Sequence, residues 1–184
     1  MTAAIFGHGG PWTEEEYLAL GETPERVELF DGSLYVTPAP TPWHQRISRR
    51  LGNALEPAAE SVGLQLLEAV NIRLKHGRLA IPDLVITTDI DLRELVIDAA
   101  AVQLVCEIIS PSNASTDRVL KMHYYAAAGI PWYLLVEQDT GTLHLHRRSG
   151  PHYVAHSVTK PGTVLRLTEP VTVDLDPERL LPGR

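Results

Sequence analysis

The chain has 184 residues, 44% of them apolar, a single cysteine and a formal charge of −7, which bounds it to one ordinary globular domain with a sizeable core. One cysteine excludes an internal disulfide framework, and no run of about 18 apolar residues offers a transmembrane helix. The start lacks the basic segment and apolar stretch of a signal peptide, so a cytosolic protein is expected, and the acidic balance gives no support for tight nonspecific binding to a polyanion.

Residues 1–12 read as a tail to a single domain spanning 1–184. Thr13 followed by Glu14, Glu15 and Glu16 predicts a short capped helix, because acidic residues suit the positive end of the helix dipole. Arg26–Phe30 and Ser33–Thr37 flank Asp31-Gly32, a pair that tolerates positive φ and predicts a hairpin. Pro38, Pro40 and Pro42 remove backbone donors, so residues 37–42 should form an extended connector. A helix follows near residues 43–60, with Ile47, Leu51, Ala54 and Leu55 as its apolar stripe.

Strands rich in β-branched residues are predicted at 64–67, 69–74 and 83–87. Residues 88–100, with scattered charges, read as a loop containing a helical turn. The nearly continuous apolar run 101–109 predicts a central strand covered on both faces, with Cys106 as a core residue and Ser110-Pro111-Ser112 as its stop. Ser115 or Thr116 can cap a helix to about Ala128, which Gly129 terminates and Pro131 prevents from continuing. Trp132–Glu137 is the next strand, and the strand, helix, strand order makes the two strands parallel. The C-terminal part alternates apolar and polar residues and predicts short antiparallel strands. An α/β fold follows, a mixed sheet flanked by helices with added C-terminal antiparallel strands.

Four ionisable residues fall at strand ends or on the helix between strands: Glu28, Asp83, Glu107 and Lys121. Phosphodiester hydrolysis needs hard oxygen ligands for a divalent cation and a positive charge near the phosphate, and this set supplies both types. Ile81-Pro82-Asp83-Leu84-Val85, Val105-Cys106-Glu107-Ile108-Ile109 and the segment from Asp117 to Tyr133, with Glu28-Leu29-Phe30-Asp31-Gly32 and His44 upstream, resemble the Uma family of endonucleases within the PD-(D/E)XK superfamily.

The resemblance covers roughly residues 10–140 and implies a restriction-endonuclease-like fold. It further implies that Asp83 and Glu107 bind Mg²⁺ or Mn²⁺, with the backbone carbonyl of Ile108 as an additional ligand, and that DNA is the substrate. A homodimer would supply two sites for two strands. One departure stands out: the superfamily lysine two residues after the second acid is Ile109 here, so Lys121 is the expected replacement, with Glu28 as a supporting carboxylate.

Blander readings stand beside each of these. Asp83 could be a solvated strand start, Glu107 half of a structural salt bridge, and Lys121 an i,i+4 partner of Asp117. Glu28 could pair with Arg26 or Arg73, and His44 could cap or pack its helix. His144 and His146 share a strand face but lack a third ligand, and Ser110 and Ser112 lack the partners of a serine nucleophile. The alternative to an enzyme is a silent domain of the same fold that binds DNA or protein, which the acidic charge and Ile109 favour.

Overall fold

The structure, a computed structural model, describes residues 9–109 and 117–181. Helix α1 (Glu14–Leu18) starts where the threonine places it: Thr13 Oγ1 accepts from the Glu16 N–H and the Glu16 carboxylate accepts from the Thr13 N–H, a reciprocal capping box. Ahead of that helix, the Trp12 N–H donates to the Gly32 carbonyl at 2.9 Å.

Strands β1 (Arg26–Phe30) and β2 (Ser33–Thr37) form the expected hairpin, with Phe30 opposite Ser33 and Glu28 opposite Tyr35. Asp31 and Gly32 both have positive φ, 51° and 85°, which matches the right-handed twist of the strands they join. The hairpin belongs to a five-stranded sheet of order β2-β1-β5-β4-β7, with β4 at Asn71–Lys75, β5 at Arg78–Ala80 and β7 at Val96–Asp98.

A second sheet has six strands in the order β11-β10-β9-β8-β6-β3. Their ranges are β3 Gln65–Glu68, β6 Leu84–Thr87, β8 Val102–Ile109, β9 Trp132–Glu137, β10 Leu143–Ser149 and β11 His152–Thr159. As expected, β8 and β9 are parallel, with Leu104 beside Trp132. Two short strands, β12 (Leu165–Leu167) and β13 (Val173–Leu175), pair separately.

The mixed α/β architecture expected from the sequence is present, its strands divided between two mixed sheets of five and six strands and the β12–β13 pair. Two of the strands are not expected from the sequence. β5 is three residues long, too short for a period to register, and β7 falls within the segment read as loop. β7 forms because β4 offers it a parallel edge, Asn71 beside Val96, a long-range pairing that no local preference encodes. The helical turn read in that segment is a 3₁₀ turn at Ala99–Ala101.

Helix α2 (Pro42–Glu60) buries Ile47, Leu51, Leu55 and Ala59 against Leu84, Ile86, Leu104 and Cys106, each large side chain contributing about 1.5–3 kcal/mol. Cys106 is fully buried, and burial pushes its thiol pKa up, so it acts as a core group. The alternate residues of the same strands, Val85 and Val105, pack on the opposite side with Tyr125 and Ile130. A π turn at Asp117–Lys121 leads into α3 (Met122–Ala127), and Gly129, at φ 91°, ends it. The larger sheet thus lies between α2 and α3. A short helix, α4 (Pro177–Leu180), places Leu180 against the α2 side of the core.

The strand stop at Ser110-Pro111-Ser112 and the capping Ser115 or Thr116 lie outside the described residues. Among the described residues no helix is long and apolar enough to cross a membrane.

Candidate active site

The central strand pair sets the site. β6 and β8 run antiparallel with Leu84 opposite Cys106 and Val85 opposite Val105, and one further step of that register puts Asp83 opposite Glu107. Side chains opposite each other in a sheet share a face, here the α3 side, where Val85 and Val105 also point. A second step would put Pro82 opposite Ile108. Proline has no N–H to give a neighbouring carbonyl, so the Pro-Asp pair ends the ladder where an oxygen-rich opening is needed.

Glu28, Asp83, Glu107 and Lys121 are all buried, at 2, 4, 3 and 5% exposure. Lys121 Nζ lies 3.0 Å from Glu28 Oε1 and 3.1 Å from Glu107 Oε1. The π turn, wider than a regular helical turn, ends on this inward-facing lysine. Tyr125, one turn further along, donates its hydroxyl to Glu107 Oε1 at 2.8 Å, and the Ile81 N–H donates to Glu28 Oε1 at 2.7 Å. Burial above all, then the charge of Glu107, raises the Tyr125 pKa well above its usual value, so that hydroxyl stays a neutral donor.

Asp83 is held by a second set of groups. Arg26 Nη1 donates to its Oδ1 at 2.8 Å, His44 Nε2 stands 3.2 Å from the same oxygen, and the Ile108 N–H donates to Oδ2 at 2.8 Å. Burial works against its charged form, but the His44 hydrogen bond, the Arg26 charge and the Ile108 amide outweigh it and bring the carboxyl to about 2. A carboxylate so stabilised is ionised throughout the physiological range.

These groups line one cleft of about 390 Å³, whose charged floor is Arg26, Glu28, Asp83, Glu107 and Lys121. Its rim includes Tyr35, the strap Thr37–Thr41 and Gln138. Counted formally, three carboxylates against the Arg26 and Lys121 cations leave one net negative charge. A Mg²⁺-type ion takes oxygen ligands and keeps several waters. Asp83 and Glu107 on adjacent strands, with Ile108 also lining the cleft, match that donor chemistry. Among the described residues no group of three or more His, Cys, Asp or Glu side chains is arranged as a metal cage, so an ion here would rest on two carboxylates, a main-chain carbonyl and water.

Residues 14–178 match the model of the Uma2 family, described as "putative restriction endonuclease". The chain belongs to the Uma2 family. This Uma2 protein also superposes on the crystal structure of "a putative nuclease belonging to DUF820" from Anabaena variabilis ATCC 29413, with a TM-score of 0.76. The two are 17% identical, and the match covers 92% of this chain and 97% of the other, a likeness of fold. No curated protein matches this chain.

Of the blander pairings, Glu107 is half of a buried salt bridge, with Lys121, and the others resolve differently. Arg26, considered as a partner for Glu28, binds Asp83, while Arg73 binds Glu14 and Asp98 instead. His144 pairs with Glu137 at 2.9 Å, away from this cleft. Two groups that hold the site's carboxylates, Arg26 and Tyr125, are not expected in that role from the sequence. Arg26 sits two residues before Glu28 on β1 and so shares its face, a signal present in the sequence. Tyr125, beside Lys121 in the chain, could from the sequence either line the cleft or pack the helix on the sheet, with packing favoured, since nothing local distinguishes a tyrosine whose hydroxyl meets an acid.

Proposed function

We propose that this protein is a metal-dependent endonuclease that hydrolyses DNA phosphodiester bonds in the cytosol. The observation that carries the reading is the convergence of Glu28, Asp83, Glu107 and Lys121, nearly fully buried, on the floor of one cleft. Burying charges costs several kcal/mol per ion even when they are paired, and an apolar cluster of the same volume stabilises as well or better. Buried clusters of charge in a cleft concentrate at functional sites. Family membership and the shared fold point to the same class of reaction.

In this reading Asp83 and Glu107, with the Ile108 carbonyl, hold Mg²⁺ or Mn²⁺. The bound ion supplies a water of lowered pKa and stabilises negative charge on the phosphate. Lys121 takes the part of the lysine absent at Ile109, its ammonium offsetting charge that grows on the phosphate during bond breaking. Glu28 and Glu107 fix that ammonium from two sides, and Tyr125 fixes Glu107. Cutting both strands of a duplex would call on a homodimer, two copies each supplying one site.

Incubating the protein with plasmid and with single-stranded DNA, in Mg²⁺, Mn²⁺ or EDTA, tests the reading. Cleavage that EDTA and Glu107→Ala both abolish is the expected result. No cleavage of any DNA, together with no metal binding by calorimetry, would overturn it and leave the silent domain, in which Arg26 is the permanent counter-ion of Asp83.

A further inference from the structure

The hairpin offers a feature that the hydrolytic set does not use. Side chains alternate along a strand, so Arg26, Glu28 and Phe30 on β1 share one face, and their cross-strand neighbours Thr37, Tyr35 and Ser33 on β2 share it with them,. All but Ser33 line the cleft. One sheet face therefore carries charged groups at one end and aromatic rings at the other. Tyr35 is directly across from Glu28, and Glu28 touches Lys121.

Phe30 and Tyr35 meet edge to face at 5.2 Å, and Phe30 also meets Tyr124 at 5.3 Å. Arg78 stacks on the far ring, 3.9 Å from the centre of Tyr124. Phe30 is buried within this column, but Tyr35 is 40% exposed, and Val36 beside it is exposed as well. The strap that follows, with Pro38, Ala39 and Pro40 lining the same cleft, adds apolar surface. An exposed ring braced from behind, at the edge of a buried ionic floor, is a surface ready to stack on a flat ligand.

We infer that the Tyr35 ring stacks on the base next to the scissile phosphate, so that the preferred substrate is single-stranded DNA. This rests on the nuclease reading above and narrows it. Bases inside a duplex already stack on both faces, and offering one to Tyr35 requires unpairing it. A single strand presents its bases without that cost, and proteins that bind such strands combine aromatic platforms with a few phosphate contacts. The cleft volume of about 390 Å³ is at the small-ligand end of the binding-site range, which suits one nucleotide rather than a length of duplex. The chain charge of −7 disfavours the broad phosphate contact on which duplex binding depends. One site per chain suffices for one strand, so the narrowed reading does not need the homodimer.

Fluorescence anisotropy with a labelled single-stranded oligonucleotide and a hairpin duplex of the same sequence, in Ca²⁺ and low salt, provides the test, with cleavage of both substrates in Mn²⁺ alongside. The single strand should bind at least about tenfold more tightly. Tyr35→Ala should weaken single-strand binding by about 5- to 150-fold, the range one stacked base spans, and weaken duplex binding less, with the loss of its contact to Phe30 lowering the thermal midpoint only slightly. Tyr35→Phe should restore single-strand binding, because the ring and not the hydroxyl stacks. Equal affinity for the two forms, cleavage of duplex alone, or a Tyr35→Ala protein that binds single strands normally would overturn the inference and leave the nuclease reading standing. Failure to bind or cut either form would overturn both.

Discussion

Lys121 is the residue on which the site's charge balance depends. Its ammonium touches Glu28 and Glu107, and both acids would remain buried if it were removed. Breaking a buried ion pair by deleting one partner costs about 3–5 kcal/mol, because the other charge stays behind unpaired. Lys121→Met should lower the urea unfolding free energy at pH 7 by that amount, and adding Glu107→Gln should return part of it. A double variant no more stable than Lys121→Met alone would show that the ammonium does not balance Glu107. Asp83 makes a second, pH-dependent contribution. Its folded pKa of about 2 lies below the ordinary carboxyl value of 3.8, so the group binds a proton more readily when the chain is unfolded. That stability is complete above pH 5 and is lost as pH falls toward the folded pKa, amounting to about 2 kcal/mol. Asp31 is also lowered to about 2, by Arg78 first, and titrates in the same window. The comparison is therefore with Asp83→Asn, which should flatten the fall in stability between pH 5 and pH 2 without abolishing it.

Two local devices position the functional side chains. At the hairpin tip, Gly32 has φ 85° and a Cβ there would stand 2.7 Å from the Pro11 Cβ. Gly32→Ala should cost about 1–3 kcal/mol through backbone strain alone, read as a lower thermal midpoint, with the Pro11 contact adding to the loss. The turn fixes which residues face each other, and a one-residue slip would send Arg26, Glu28 and Tyr35 to the wrong face. At the start of α2, Thr41 Oγ1 accepts from the His44 N–H at 3.3 Å. Thr41→Ala should destabilise the protein by about 1 kcal/mol in denaturant unfolding. It also loosens the turn from which His44 reaches Asp83. An unchanged midpoint would mean that the preceding proline-rich strap, not the cap, sets where the helix begins.

The whole molecule places a small, near-neutral ionic floor inside an acidic surface. Binding to a polyanion then relies on a few groups in the cleft instead of a broad basic face. With about two or three phosphates contacted, the logarithm of the single-strand affinity should fall with the logarithm of salt with a slope of only about −1.5 to −2. A slope of −5 or steeper in anisotropy titrations would reveal an extended basic track outside the cleft. The fold explains how distant residues meet: β1 brings Glu28 and Arg26, the β6 and β8 register brings Asp83 and Glu107 opposite one another, and the π turn brings Lys121.

Much of this was legible in the chain itself. The hairpin, α2, the central strand and the parallel β8 and β9 pair follow from periodicity, turn chemistry and helix caps, all of which act within a few residues. Asp83 and Glu107 stood out because an acid next to or within an apolar run needs a partner. What those partners are is a tertiary matter. Arg26 rather than Arg73 joins this cluster, Lys121 meets Glu28 across 93 positions of sequence, and β7 exists only because β4 offers it an edge. Local sequence specifies where a charge is costly, through burial and period. Which opposite charge offsets it depends on how the two sheets and their flanking helices come together, an arrangement set by long-range packing that no short stretch of chain contains.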